Sequence, residues 1–248
     1  MLNPTKLFSI ETRSNVDGLL MFACFGLLSI GFVMVISASL HLGVKMANDT
    51  SHYPLRQFTH IVLGLAAAFG VMRIQIRTWE KWGQFLFISG IVLLLIVLIP
   101  GVGVRVNGSI RWLSILGLRI QVSEVMKLIS VVYMASYITR YGDHVRRSAI
   151  GLARPMGWLS VACGLLLLEP DFGSAVVVVV IAMGMMFLAG ARISQFVVLT
   201  VVLTIGAIFL VKLSPYRLAR VLSFSDPWAD ARNTGFQLTQ ALISFGRG

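Results

Sequence analysis

The sequence predicts an all-α, polytopic membrane protein, and three observations carry that reading. Of 248 residues, 57% are hydrophobic and 12% are charged, about half the charged share of a soluble domain. Mean hydropathy is +0.85. The apolar residues gather into seven segments separated by polar loops, near the length of about 20 residues that a helix needs to cross a bilayer. In lipid each segment must satisfy its own backbone N–H and C=O groups, so an apolar run becomes a helix. One membrane domain over 1–248 is expected, with no internal repeat, low-complexity tract or linker.

The first span covers 17–40. It is uncharged from Gly18 onward and longer than the apolar region of about 7–15 residues in a cleaved signal peptide, so it is expected to stay as a helix. The second, 57–72, is short and holds His60. The third, 83–99, ends at Pro100-Gly101. The fourth, 120–138, contains Glu124 and Lys127. The fifth, 155–168, and the sixth, 172–191, are joined by the turn Glu169-Pro170-Asp171. Val176 to Val180 is β-branched throughout and would favour a strand in water, but lipid selects the helix. The seventh span is 193–211. A polar segment, Tyr216 to Gly248, follows. Cys24 and Cys163 lie inside spans and read as small apolar residues. No Cys/His spacing suits a metal. His41, His52 and His144 fall in loops.

A formal charge of +11 raises nucleic-acid binding as a first thought. The basic residues form no run of five and are scattered between the spans. That distribution suits membrane topology and anionic head groups, and nucleic acid is set aside. With a cytoplasmic N-terminus, the inner and outer loops each hold ten Lys and Arg, or ten against five without the terminal segment. The N-terminus is therefore expected inside. The positive charge left outside calls for a polyanionic substrate.

Four groups of residues are candidates for chemistry. Glu124 and Lys127 share one helix face; they form either a pair shaping a polar cavity or one lying at the membrane interface. Residues 100–119 form an amphipathic loop with Arg105, Arg111, Trp112 and Arg119. It serves either as an interfacial or re-entrant grip on phosphates or as an interface anchor. Its Asn107-Gly108-Ser109, like Asn48-Asp49-Thr50, matches a short glycosylation pattern that arises by chance. In Glu169-Pro170-Asp171-Phe172-Gly173-Ser174, Asp171 is placed to cap the next helix, and two carboxylates there can also border a polar cavity. In the terminal segment, Asp226 before Pro227 reads as a turn residue. Asp230 has no such structural role and lies near Arg232, a cation that favours its ionised form. An ionised carboxylate accepts a proton from a sugar hydroxyl.

Three stretches together resemble one family. They are VNGSIRWLSILGLRIQVSEVMKL (106–128), EPDFGSAVVV (169–178) and YRLARVLSFSDPWADARNTGFQLTQALISFGRG (216–248). Their order and spacing are similar to those of the SEDS family (shape, elongation, division, sporulation) of bacterial peptidoglycan glycosyltransferases. NGSIRW, Trp228 and the ending FGRG look more like its division branch, FtsW, than its elongation branch, RodA.

The resemblance implies polymerisation of lipid II into glycan strands at the outer face of the cytoplasmic membrane, during septal wall synthesis. It implies that the family's essential loop aspartate is Asp230, in WAD where the family often has WED. The intramembrane Glu and Lys fall on Glu124 and Lys127, and the loop arginine before Trp on Arg111. Asp230 is expected to act as general base in an inverting displacement. Arg111, Arg217 and Arg220 are expected at the leaving pyrophosphate, and Arg119, Asp171 and Gln237 among the substrate contacts. Expected partners are lipid II, the undecaprenyl-pyrophosphate-linked glycan, membrane lipid, a class B penicillin-binding transpeptidase and other division proteins. No cofactor is implied; a divalent cation is an option for which no ligand set is visible. A lipid-precursor flippase and a non-catalytic division scaffold are the competing readings. Two departures stand out. Ala231, Arg232, Asn233 and Thr234 precede Gly235 where the family has Pro and a Gly-rich turn. The family has ten spans where this chain has seven, so it reads as truncated at its C-terminal end.

Overall fold

The structure is a computed structural model that describes residues 17–47, 51–106, 109–115, 118–232 and 235–246. Both short glycosylation patterns fall partly or wholly outside these residues. The chain divides into two compact units, 1–75 and 76–248, and each is described by itself.

The first unit is a helical hairpin. Helix α1, Gly18–Ala47, pairs with α2, His52–Met72. Asp17 caps α1 by accepting from the Leu19 amide at 2.9 Å and the Leu20 amide at 3.3 Å, satisfying donors that a helix start leaves open. Phe32 and Phe58 meet across the pair with ring centroids 6.2 Å apart. Both helices expose large apolar side chains along their length, including Phe22, Val33, Leu55 and Phe69, as a lipid-facing hairpin does.

The second unit packs around α4, Val122–Arg147. It contacts α3 (Ile76–Leu98), α5 (Ala149–Leu168) and α6 (Phe172–Leu188). Phe87 of α3 stacks on Tyr133 of α4 at 4.3 Å. Leu94, Met126, Met134, Leu159, Leu166 and Met186 fill the core. Helix α7, Ile193–Lys212, touches α6 and α8 (Pro215–Leu222) and has no buried residue. Helix α9, Phe236–Gly246, ends the unit. Among the described residues, six helices are long and apolar enough to span a membrane, and α6, at 17 residues, is apolar but shorter. Helices thus stand at all seven expected positions, including Val176–Val180. Several begin or end beyond the apolar run and take in His41, His52 and His144, because polar turns at a helix end are free to leave the hydrocarbon.

One feature differs in kind from the expectation. Residues 100–119 are not a loop but most of a small antiparallel sheet in the order β1-β2-β3: Gly103–Val106, Ser109–Ile115 and Leu118–Gln121. Trp112 pairs with both Val104 and Gln121. Alternation of period two is the signature of a strand, and Asn-Gly between two such runs is a hairpin signal. The strands satisfy one another's backbone groups where a loop would leave them to solvent.

Proline inside α5 is tolerated for an identifiable reason. Pro155 lacks the N–H that would bond to the carbonyl of Gly151 one turn earlier. The Tyr137 hydroxyl of α4 donates to that carbonyl instead, at 2.9 Å. Gly151 permits the approach, since a Cβ there would collide with the carbonyl of His144. Replacing Tyr137 with Phe is expected to cost about 1–3 kcal/mol by orphaning a buried carbonyl. Adding Pro155→Ala, which restores the missing N–H, is expected to recover most of the loss in thermal unfolding, whereas simple additivity would contradict the pairing.

Candidate functional site

The turn between α5 and α6 gathers the sheet and two helices around one carboxylate. Asp171 is the N-cap of α6. Its Oδ1 accepts from the Ser174 amide at 3.2 Å, and its Oδ2 from the Ser174 hydroxyl at 2.9 Å. The Ser123 hydroxyl of α4 donates to Oδ2 at 2.8 Å, and Gln121 Nε2 of β3 at 3.3 Å. Arg111 of β2 brings Nη1 to 3.6 Å from Oδ1. Burial alone would raise the pKa of Asp171, but the hydrogen bonds from Ser123 and Ser174 and the Arg111 charge outweigh it and hold it below its ordinary value.

Two residues away, Glu169 has the opposite environment. It is fully buried, and neither carboxyl oxygen has a hydrogen-bond partner among the described residues. It lies in the turn, outside the spanning helices. Burial, reinforced by the charge of Asp171 and only partly opposed by Arg111, pushes its pKa up to about 8. Arg111 Nε and Trp112 Nε1 are also buried without partners among the described residues.

A groove adjoins this turn. Between α6 and α7 lies an almost wholly apolar cavity of about 720 Å³, lined among others by Cys163, Phe172, Val179, Met183, Phe196 and Leu210. From Phe172 to Gly184 it follows α6 for about 18 Å, at 1.5 Å per residue. Arg217 of α8 contacts two of the lining residues: its guanidinium lies 5.5 Å from the centre of the Phe172 ring, and Nη1 donates to the Leu210 carbonyl at 3.3 Å. A cation thus sits beside an oily slot whose wall residue Phe172 directly follows Asp171 in the chain.

The remaining sequence candidates fall as follows. Glu124 and Lys127 bond to each other at 2.7 Å in the first turns of α4, with the Glu124 side chain 57% exposed. Asp226 makes the expected turn, accepting from the amides of Trp228 at 3.1 Å and Ala229 at 3.3 Å. Asp230 is half-buried in the compact loop that follows. The Asp230 carbonyl accepts from the Gly235 amide at 3.1 Å, and Thr239 ties the loop to the Pro227 carbonyl at 3.1 Å. Arg119, Arg220 and Gln237 are exposed. Sequence reasoning missed Gln121, Ser123 and Ser174 as partners of Asp171; the signal was a polar residue at each start of an apolar helix. Among the described residues, no three His, Cys, Asp or Glu side chains gather as metal ligands would.

Comparison with known proteins places the chain. The model of the cell cycle protein family FtsW/RodA/SpoVE matches residues 18–248. The chain belongs to this family. A probable peptidoglycan glycosyltransferase FtsW of Methylomonas methanica is 63% identical over 236 residues, covering 95% of this chain and 61% of that protein. Its counterpart in Methylococcus capsulatus is 53% identical, covering 95% and 59%. The chain therefore spans about three fifths of the length of these relatives. Among solved structures, a chain from a peptidoglycan synthase complex described for its coordination of polymerization and crosslinking is similar with a TM-score of 0.63. It is 29% identical, over 86% of this chain and 63% of that one. The rod shape determining protein RodA of Thermus thermophilus gives a TM-score of 0.54 at 26% identity, over 71% and 58%. The FtsW-like character read from NGSIRW, Trp228 and FGRG agrees with the names of these relatives, and the family assignment confirms a multi-pass membrane protein.

The opposed carboxyl environments make a pH prediction. Glu169, with its pKa raised, binds its proton more tightly folded than unfolded. It therefore favours the fold most fully below about 4.5, and this contribution is lost as pH rises through about 8. Asp171, with its pKa lowered, contributes above its unfolded value and loses that contribution on acidification. Thermal stability of the wild type is expected to fall between pH 4.5 and 8, and Glu169→Gln is expected to flatten this decline.

Proposed function

We propose that this protein is a peptidoglycan glycosyltransferase that polymerises lipid II into glycan strands during septal wall synthesis. The observation that carries the reading is the apolar groove along α6 and α7, with Arg217 against its wall residue Phe172, which directly follows Asp171 of the Arg111–Asp171 cluster. A lipid-linked pyrophosphate sugar has the same two parts: an isoprenoid tail that stays in hydrocarbon and an anionic head group that must leave it. The names of the relatives point the same way.

In the proposed reaction, the 4-hydroxyl of the acceptor GlcNAc attacks the anomeric carbon of the donor. The new C–O bond forms as the bond to pyrophosphate breaks, and undecaprenyl pyrophosphate leaves with the bonding pair. The anomeric bond changes from α to β, so a single inverting displacement suffices and one carboxylate serves as base. Asp230 takes the hydroxyl proton. Arg111, Arg217 and Arg220 stabilise the charge that develops on the pyrophosphate. Arg119, Glu124, Lys127, Asp171 and Gln237 complete the substrate surface in this reading, directly or by holding those arginines. The protein lies in the bacterial cytoplasmic membrane at the division septum, with its N-terminus inside and the sheet and terminal segment outside. It works with a class B penicillin-binding transpeptidase and other division proteins.

Asp230→Asn in the full-length protein, reconstituted with lipid II, is expected to lower strand synthesis by at least about 10²-fold without changing thermal stability. Asp226→Asn, which keeps the oxygen that accepts from Trp228 and Ala229, is expected to remain active. Undiminished synthesis by the Asp230 variant would remove it as the base.

A further inference from the structure

We propose that Glu169 is an uncharged carboxylic acid that keeps Arg111 free of a second carboxylate, so that this turn holds the anionic pyrophosphate of a lipid-linked sugar. It is a positioning residue, acting through Arg111, and the identity of the anion rests on the function proposed above.

Geometry carries the inference. Glu169 is the C-cap of α5 and has no exposed surface. A helix C-terminus presents partial negative charge, which disfavours a carboxylate there. Neither oxygen of the side chain has a donor among the described residues, and a buried ion without a partner is strongly penalised. Ser123, Gln121 and Ser174 all serve Asp171, and the buried Arg111 Nε and Trp112 Nε1 bond to neither Glu169 oxygen.

The charged groups acting on Glu169 are Asp171 in its own turn and Arg111 from β2. The α4 end contributes Ser123, and Glu124 and Lys127 bond to each other there. Helix α6 and the stretch 83–98 of α3 contain no charged residue. From β3 come Gln121 and an exposed Arg119.

The consequence is a charge count. With Glu169 neutral, Arg111 and Asp171 sum to zero and the guanidinium can turn part of its fork to an incoming anion. With Glu169 ionised, the cluster carries −1 and Arg111 lies between two carboxylates. An approaching pyrophosphate then meets repulsion where it needs a cation.

Two measurements on the 248-residue chain in lipid nanodiscs test this. The first is an infrared pH titration, with carbon-13 labelling of the four glutamates to assign the bands. A protonated-carboxyl band is expected at pH 7, absent in Glu169→Gln and fading in the wild type with a midpoint near 8. The second is binding of a farnesyl-pyrophosphoryl-GlcNAc probe, a diester whose pyrophosphate does not titrate in this range. The wild type is expected to lose about tenfold in affinity between about pH 7 and about pH 9, the scale of one added charge in a partly buried site. Glu169→Gln is expected to hold its affinity across the same range. Absence of the acid band at pH 7, or an equal alkaline loss in Glu169→Gln, overturns the proposal. If both effects appear but the full-length protein makes no glycan strands from lipid II, the enzymatic reading fails and the anion site stands.

Discussion

Asp171 is the constraint on which the second unit depends. A single buried carboxylate ties β2 through Arg111, β3 through Gln121, α4 through Ser123 and the start of α6 through Ser174. Remove the charge and four elements lose a common partner; remove a donor and a buried anion loses part of its compensation. Such a centre is stable only when its partners are complete. The sheet supplies the one full positive charge in that set, which explains why a three-stranded element sits at the end of a helix bundle.

This arrangement also couples the two solvents that the protein must serve. Along α6 and α7 the walls of the groove are Val, Met, Phe and Leu, suited to hydrocarbon. At Phe172 the chain passes within one residue from that wall to the Asp171 cluster, and Arg217 lies across the junction. The cap that starts α6 is therefore also the border between an apolar and a polar environment. A helix N-terminus favours negative charge, so the same device that ends the loop helps define a polar rim.

The sequence and the structure agree where hydropathy alone decides. Seven apolar runs became seven helices because lipid permits no other solution for an isolated segment. The agreement fails where a pattern is shared between segments. The alternation in Arg105, Ile110, Arg111 and Trp112 was visible, yet an amphipathic loop and a hairpin have similar composition; pairing with Leu118–Gln121 decides between them. Pro155 read as a helix boundary because the hydroxyl that compensates it belongs to Tyr137, eighteen positions earlier on another helix. In the site, the capping role of Asp171 was legible from its place before Phe172. The convergence of Gln121 and Ser123 on it was not, since a separation of some fifty residues carries no local signal. The contrast between Glu169 and Asp171 was equally hidden, for two carboxylates in one turn look alike until their donors are assigned.

The most direct test of this account is a double-mutant cycle on Arg111→Gln and Asp171→Asn, read by thermal unfolding in lipid nanodiscs. If the carboxylate holds the sheet to the bundle, the two substitutions together will cost less than their sum, with a coupling of at least about 1 kcal/mol. Effects that add to within about 0.5 kcal/mol would contradict it and leave the sheet attached by other means.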